Sequence, residues 1–286
     1  MSIHVIPPAP PKLPTRPIAV LTTLTAALIA AVVFAPHLLA AGRSESGFAH
    51  ESGLRTGFRT AFQEYWTTGG PGYSPSLARI VDYWFRFHVV KAVVAALLLT
   101  VLITLSTVLW KAFRSTAPGI LRAGSLLAGS TLTTLLALIS LLMVMANIQG
   151  AIAPFSSLMP LLMDTPPDAP LTATLGQVRD SLAESPGPGG RTPPAAGVMI
   201  DDFTRYHVAM AVITATLALC FLTASVILWR RFARTASTDR PERRIQAAFG
   251  TLSLLIAAAA VVVAVANTTT AAHSAPGLLA LFNGSW

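Results

Sequence analysis

The sequence predicts an all-α polytopic membrane protein with five transmembrane helices. Of its 286 residues 53% are hydrophobic and only 11% are charged, whereas charged residues make up about 25% of a typical soluble domain. Its mean hydropathy is +0.63. One largely apolar stretch occurs twice, at residues 81–116 and 200–235. These observations predict an N-terminal anchor helix followed by a parallel duplicated two-helix unit, whose four helices form a bundle.

The two copies align at an offset of 119 without a gap, and 14 of 36 positions are identical. The identities include polar and rare residue types that apolar composition alone would not align: Asp82/Asp201, Arg86/Arg205, His88/His207 and Trp110/Trp229. A weaker match continues at an offset of 120 and pairs Asn147 with Asn267. Because each copy is two spans long, both have the same orientation, which suits a pseudo-two-fold axis along the membrane normal.

The chain begins with a Pro-rich tail, residues 1–17, which we expect to be cytoplasmic. Residues 18–41 contain no Lys, Arg, Asp or Glu and are long enough to cross about 30 Å of hydrocarbon as the first span. A cleaved signal peptide is the alternative, but its apolar core would measure about 7–15 residues and end in an A-x-A-like site. The longer run favours a retained anchor helix.

The next segment, residues 42–86, is predicted to be extracytoplasmic. Its apolar residues Leu54, Phe58, Phe62 and Trp66 recur at every fourth position, which predicts an amphipathic helix lying at the membrane surface. The first repeat follows at residues 87–148, with spans at 87–110 and 120–146.

The second half has the same plan. Residues 149–199 form a Pro/Gly-rich extracytoplasmic loop that we expect to be mostly irregular. The second repeat occupies residues 200–270, with spans at 206–229 and 245–270, and residues 271–286 form an extracytoplasmic tail.

The distribution of charge predicts the orientation. With the N-terminus inside, the inner segments hold eleven Lys and Arg against two acidic residues, and the outer segments hold nine against ten. This asymmetry satisfies the positive-inside rule, so the basic net charge needs no nucleic acid to explain it. Arg-, Ala- and Pro-rich composition indicates a bacterium, and the inner membrane is the predicted location. The single cysteine, Cys220, excludes an intramolecular disulfide and a Cys-based metal site.

The repeated histidines are the main candidate site. His88 and His207 each lie one turn before an alanine of a small-residue pair, Ala92/Ala96 and Ala211/Ala215, whose spacing lets helices approach closely in lipid. One hypothesis is a b-type haem ligated by both histidines, with Arg86 and Arg205 near its propionates. The structural alternative is that each histidine hydrogen-bonds to a neighbouring helix, with Asn147 or Asn267 as partner.

Two weaker hypotheses concern ligands at the outer side. Lys91 has Met210 as its counterpart, and with Asn147 and Asn267 it would bind an anionic headgroup or substrate, as expected of a small-molecule or lipid carrier with an outward-facing pocket. An outward copper or zinc site is less favoured because no two histidines have ligand-like spacing. The spacing of Asp201 and Arg205 predicts a stabilising i,i+4 pair.

Catalytic motifs are missing from the sequence. It contains no P-loop, dinucleotide fingerprint, HExxH motif or nucleophile elbow, and the five predicted spans contain no acidic residue. The favoured function is therefore a non-enzymatic structural or accessory component that binds a membrane-protein partner or self-associates. A haem-binding electron-transfer subunit is the alternative.

Overall fold

The computed structural model describes residues 15–41, 48, 50–115, 120–164, 166–184 and 192–285, and across these ranges all regular structure is helical. Most of the predicted Pro-rich tail lies outside the described residues. The elements are α1 (Thr15–Ala40), α2 (Glu51–Thr68), α3 (Pro75–Ser115), α4 (Ile120–Ile152), α5 (Pro154–Leu158) with a 3-10 turn (Met159–Leu162), α6 (Ala169–Glu184), α7 (Pro194–Arg234), α8 (Arg240–Ala272) and α9 (Ser274–Phe282).

The prediction of five candidate spans is confirmed. Helices α1, α3, α4, α7 and α8 are long and apolar enough to cross a membrane. Helices α3 and α7 each contain 41 residues, about twice the length that a bilayer requires. Both start twelve residues before the predicted spans, because polar helical turns carry no hydropathy signal.

The prediction of a mostly irregular loop at residues 149–199 is wrong for α5, the 3-10 turn and α6, and the predicted tail contains α9. Proline occupies the first turn of several of these helices, as at Pro154 and Pro160. Proline is tolerated there because the first amide groups of a helix have no intrahelical acceptor. Asp168 supplies an N-cap for α6, since its Oδ1 accepts from the Leu171 amide at 2.9 Å.

The chain forms two compact units. The first comprises Met1–Ala40 and Arg86–Asn147, that is, α1 and most of α3 and α4. Its core includes one cluster of buried side chains: Val32, Leu98, Leu102 and Ala137. Polar contacts also join α3 to α4. Ser140 Oγ donates to the Ala95 carbonyl at 2.8 Å, and Trp110 Nε1 donates to Thr134 Oγ1 at 3.2 Å. Such hydrogen bonds stabilise helix pairs in lipid.

The second unit, Ala41–Phe85 and Ile148–Trp286, contains the α7–α8 hairpin and a group of short helices. We call α2, α5, the 3-10 turn, α6 and α9 the cap. Its aromatic core centres on Phe155, whose ring centroid lies 5.2–6.4 Å from those of Phe58, Phe62, Tyr65 and Tyr73. The apolar stripe predicted on α2 therefore packs on protein, and Leu54, Phe58 and Phe62 do not supply a lipid-facing surface.

The buried residues of α7 beyond His207 are mostly small. Of the predicted pair, Ala211 is half-buried and Ala215 is exposed, whereas Ala209 is buried. The other buried residues follow His207 at seven, eleven and eighteen positions: Thr214, Ala218 and Ser225. Seven residues are nearly two helical turns, so these positions share one face. Ser225 Oγ donates to the Gly250 carbonyl at 2.9 Å. In the first unit Ala95 is buried, whereas Ala92 and Ala96 are half-buried.

Several helices of the two halves of the chain match in length and spacing. Helices α3 and α7 begin 119 residues apart and are equally long, and α4 and α8 each contain 33 residues and begin 120 apart. Residues 154–162 of α5 and the 3-10 turn match residues 274–282 of α9. One hydrogen bond also recurs at an offset of 120: Arg59 donates to the Leu162 carbonyl at 3.1 Å, and Arg179 to the Phe282 carbonyl at 2.7 Å. The four-helix bundle would join helices of both units and stays a prediction.

Candidate functional site

The structure joins each predicted histidine to its predicted asparagine. In the first unit His88 Nδ1 on α3 lies 2.9 Å from Asn147 Oδ1 on α4. In the second unit His207 Nδ1 on α7 lies 2.8 Å from Asn267 Oδ1 on α8. Equivalent residues therefore make equivalent contacts between the two helices of each pair.

The asparagine side chains define the tautomer of the histidines. Asn147 Nδ2 donates to the Met143 carbonyl at 2.7 Å, and Asn267 Nδ2 donates to the Val263 carbonyl at 2.9 Å. Each amide oxygen therefore faces the imidazole as an acceptor, and Nδ1 must carry the proton. In a neutral imidazole Nε2 then holds the lone pair, which is the form that ligates a metal.

The Nε2 atom of His207 is buried and has no hydrogen-bond partner among the described residues. The His207 ring packs against Phe203, with centroids 4.4 Å apart, and against Tyr206 at 5.5 Å. An imidazole in this setting either fills space between helices or has its Nε2 lone pair available to bind a ligand.

The arginine predicted beside His207 has a different partner from the expected one. Arg205 Nη2 lies 3.7 Å from Asp202 Oδ1, whereas its contact with Asp201 is to the backbone carbonyl. The predicted Asp201–Arg205 pair is therefore replaced by an i,i+3 pair. Arg205 is exposed and Arg86 is half-buried.

Lys91 makes a cation–π contact within its own helix. Its Nζ lies 5.3 Å from the centroid of the Phe87 ring, a geometry in which the ring face attracts the ammonium group. The side chain is half-buried. Its predicted role in ligand binding stays a prediction.

Sequence analysis missed Asp202, a carboxylate that is only 2% exposed. Its Oδ2 accepts from the Ser156 amide at 2.7 Å and so ties α5 to α7. Burial, followed by the negative charge of Asp202, raises the pKa of Tyr73. The sequence did not reveal this burial, because the helix face that Asp202 shares with Ala195, seven residues earlier, is recognised as buried only in the structure.

The predicted bis-histidine haem site would need residues of both units and stays a prediction. No group of three or more His, Cys, Asp or Glu suited to a metal ion occurs in the part of the chain that the structure describes. Comparison with known protein families, with curated proteins and with solved structures gave no match.

Proposed function

We propose that this chain is a non-enzymatic accessory component of a bacterial inner membrane, with the N-terminus inside and the cap outside. The observation that carries the proposal is that the recurring polar residues are used in recurring intramolecular contacts. His88 and His207 each bind an asparagine, and Arg59 and Arg179 each bind a helix-terminal carbonyl. Residues that repeat because they build the fold need no reaction to explain them.

The same contacts support a duplication larger than the two-helix unit that the sequence predicted. The proposed repeat contains a short cap helix, two spans and a second short helix. Its copies are residues 51–162 and 169–282. The equal lengths of the paired spans, their offsets of 119 and 120 residues and the matched arginine contacts support this extension into the cap.

The cap has the construction expected of a recognition module. Tyr65 Oη donates to the Ala195 carbonyl of α7 at 2.8 Å, and Thr204 Oγ1 of α7 donates to Ser274 Oγ at 2.7 Å. Asp202 adds its bond to the Ser156 amide. These contacts hold the cap at a fixed position on the hairpin, which suits a surface that binds a membrane-protein partner or a second copy of the chain.

Photocrosslinking in intact cells tests this role. A photoreactive residue at the exposed Ala183 of α6 should give one discrete protein adduct, and Phe155→Ala should abolish it by loosening the cap. Phe34→Ala, on the lipid-exposed face of α1, is the matched control and should leave the adduct intact. A protein that gives no adduct and stays monomeric in lipid nanodiscs would refute the proposal.

A second candidate, a haem-binding electron-transfer subunit, is favoured by the histidine tautomer. Visible spectra of the oxidised and dithionite-reduced protein, expressed with haem supplied, test it. A Soret band should disappear in His88→Ala and in His207→Ala. It should persist in His273→Ala, whose exposed imidazole contacts the Thr269 carbonyl instead of an asparagine. A colourless preparation would rule out this function.

A further inference from the structure

The α7–α8 turn forms an open pocket of about 230 Å³ at one end of two candidate spans. Three of its lining residues are arginines from the first turns of α8, and the remaining lining is contributed by α7, the turn and α8. The six lining residues are Phe232, Ser237, Arg240, Arg243, Arg244 and Ala247. We propose that this pocket binds the phosphate group of an anionic phospholipid.

The position of Arg243 is defined by its contacts before any ligand binds. Its Nη1 donates to the Thr235 carbonyl at 2.9 Å and to the Phe232 carbonyl at 3.3 Å, and its Cζ lies 4.0 Å from the centroid of the Phe232 ring. These contacts place a cation at the negative end of the α7 dipole. They use one nitrogen, and the guanidinium fork retains further donors for a phosphate oxygen.

The three pocket arginines form no salt bridge with any carboxylate of the described residues. The two acidic residues beside them are engaged in other contacts. Asp239 caps α8 by accepting from the Glu242 amide, and Glu242 Oε1 accepts from Gln246 Nε2 at 3.1 Å. The three guanidinium groups therefore outnumber the two neighbouring carboxylates, and the positive N-terminal end of the α8 dipole adds to this net positive charge.

The apolar part of the lining favours a lipid over free phosphate. Phe232 and Ala247 place an aromatic ring and a methyl group beside the guanidinium groups, which suits a molecule with both a phosphate and a glycerol backbone. Below this level α7 and α8 expose apolar side chains such as Ile227 and Leu255, on which acyl chains would lie. Basic pockets between helices at a membrane boundary bind acidic headgroups in this way.

Lipid titration of the full chain in mild detergent, followed by native mass spectrometry, tests the assignment with phosphatidylglycerol as the probe and phosphatidylcholine for comparison. Arg240→Gln/Arg244→Gln should weaken phosphatidylglycerol binding about twenty-five-fold, since each arginine near a lipid phosphate contributes about fivefold. Both side chains are exposed and make no described hydrogen bond, so folding should be unaffected.

Arg230→Gln/Arg231→Gln is the matched control. It removes the same charge from exposed positions of α7 outside the pocket and should retain the affinity within about twofold. An equal loss in both double variants would show diffuse charge attraction and overturn the proposal, as would no loss in Arg240→Gln/Arg244→Gln. Inorganic phosphate is the competing ligand in a separate titration. If it displaces the lipid at a similar concentration, the site is for free phosphate and the lipid assignment fails.

Discussion

Replacing Phe155 by alanine should open the cap without unfolding the spans. Phe155 is fully buried and lies within reach of four aromatic rings from α2 and from the segment before α3. Removing a buried Phe side chain costs about 3–5 kcal/mol through lost transfer energy and cavity formation. Since about 1.4 kcal/mol corresponds to a factor of ten, about 4 kcal/mol would raise the open population of the cap roughly a thousandfold.

Hydrogen exchange with mass spectrometry in nanodiscs measures this opening by segment. Amides of α2 and α5 should lose protection by about three orders of magnitude, while those of α8 stay unchanged, because a local cooperative unit opens independently of the rest. Phe34→Ala, at a position 65% exposed on α1, removes the same atoms from a side chain that packs on little protein. If Phe155→Ala changes the exchange of α2 by less than tenfold, the aromatic cluster does not hold the cap together.

Three further predictions address single contacts. Burial raises the pKa of Tyr65, so its phenol stays neutral in the folded cap at a pH at which the unfolded chain ionises. The stability of the cap, measured by urea unfolding, should therefore fall as the pH rises above about 10. It should fall less in Tyr65→Phe, which has no ionisable hydroxyl. A double-mutant cycle on His207→Phe and Asn267→Leu, followed by unfolding in detergent, should give a coupling of about 0.6–1.7 kcal/mol, and zero coupling would mean that the contact is not stabilising. Gly250→Ala places a methyl group 3.1 Å from Trp229 Nε1 and should move the indole ring. An unchanged tryptophan fluorescence spectrum would contradict this prediction. Gly124→Ala, with open space around the new methyl group, is the control.

The five spans were predictable because a helix that crosses a bilayer needs about 20 consecutive apolar residues, and few other structures need so long an apolar run. The histidine–asparagine contacts were predictable as one of two alternatives, because sequence spacing placed both residues at the same level of paired spans. Apart from α2, the cap helices were missed for a physical reason. They are short, and α5, α6 and α9 each have a proline among their first three residues, so their composition resembles that of a loop. The spacing of Leu171, Leu175, Val178 and Leu182 nevertheless marked one face of α6.

The face that packs inside the membrane was harder to predict than the spans. One residue turns a helix by about 100°, so choosing Ala96 instead of Ala95 moves the predicted seam to a different side of α3. Small residues occur on several faces of these helices, and composition does not distinguish them. The same limit applied at Asp201 and Asp202, where two adjacent carboxylates have opposite environments, one exposed and one buried.

The arginines of the proposed lipid pocket have no counterparts at the matching positions of the first half of the sequence, and this difference makes the lipid stoichiometry a test. At the offset of 120 that relates α4 to α8, the positions of Arg240, Arg243 and Arg244 are held by Ile120, Ala123 and Gly124 in the sequence. The histidine–asparagine contacts, by comparison, recur in both halves. In the duplication that we propose, a fold requirement would act on both copies of the segment, whereas a ligand would need only one of them to keep or gain its contacts. Titration should therefore saturate at one phosphatidylglycerol per chain, and this bound lipid should be lost in Arg240→Gln/Arg244→Gln. Two equivalent lipids would show that the arginine cluster does not define the site.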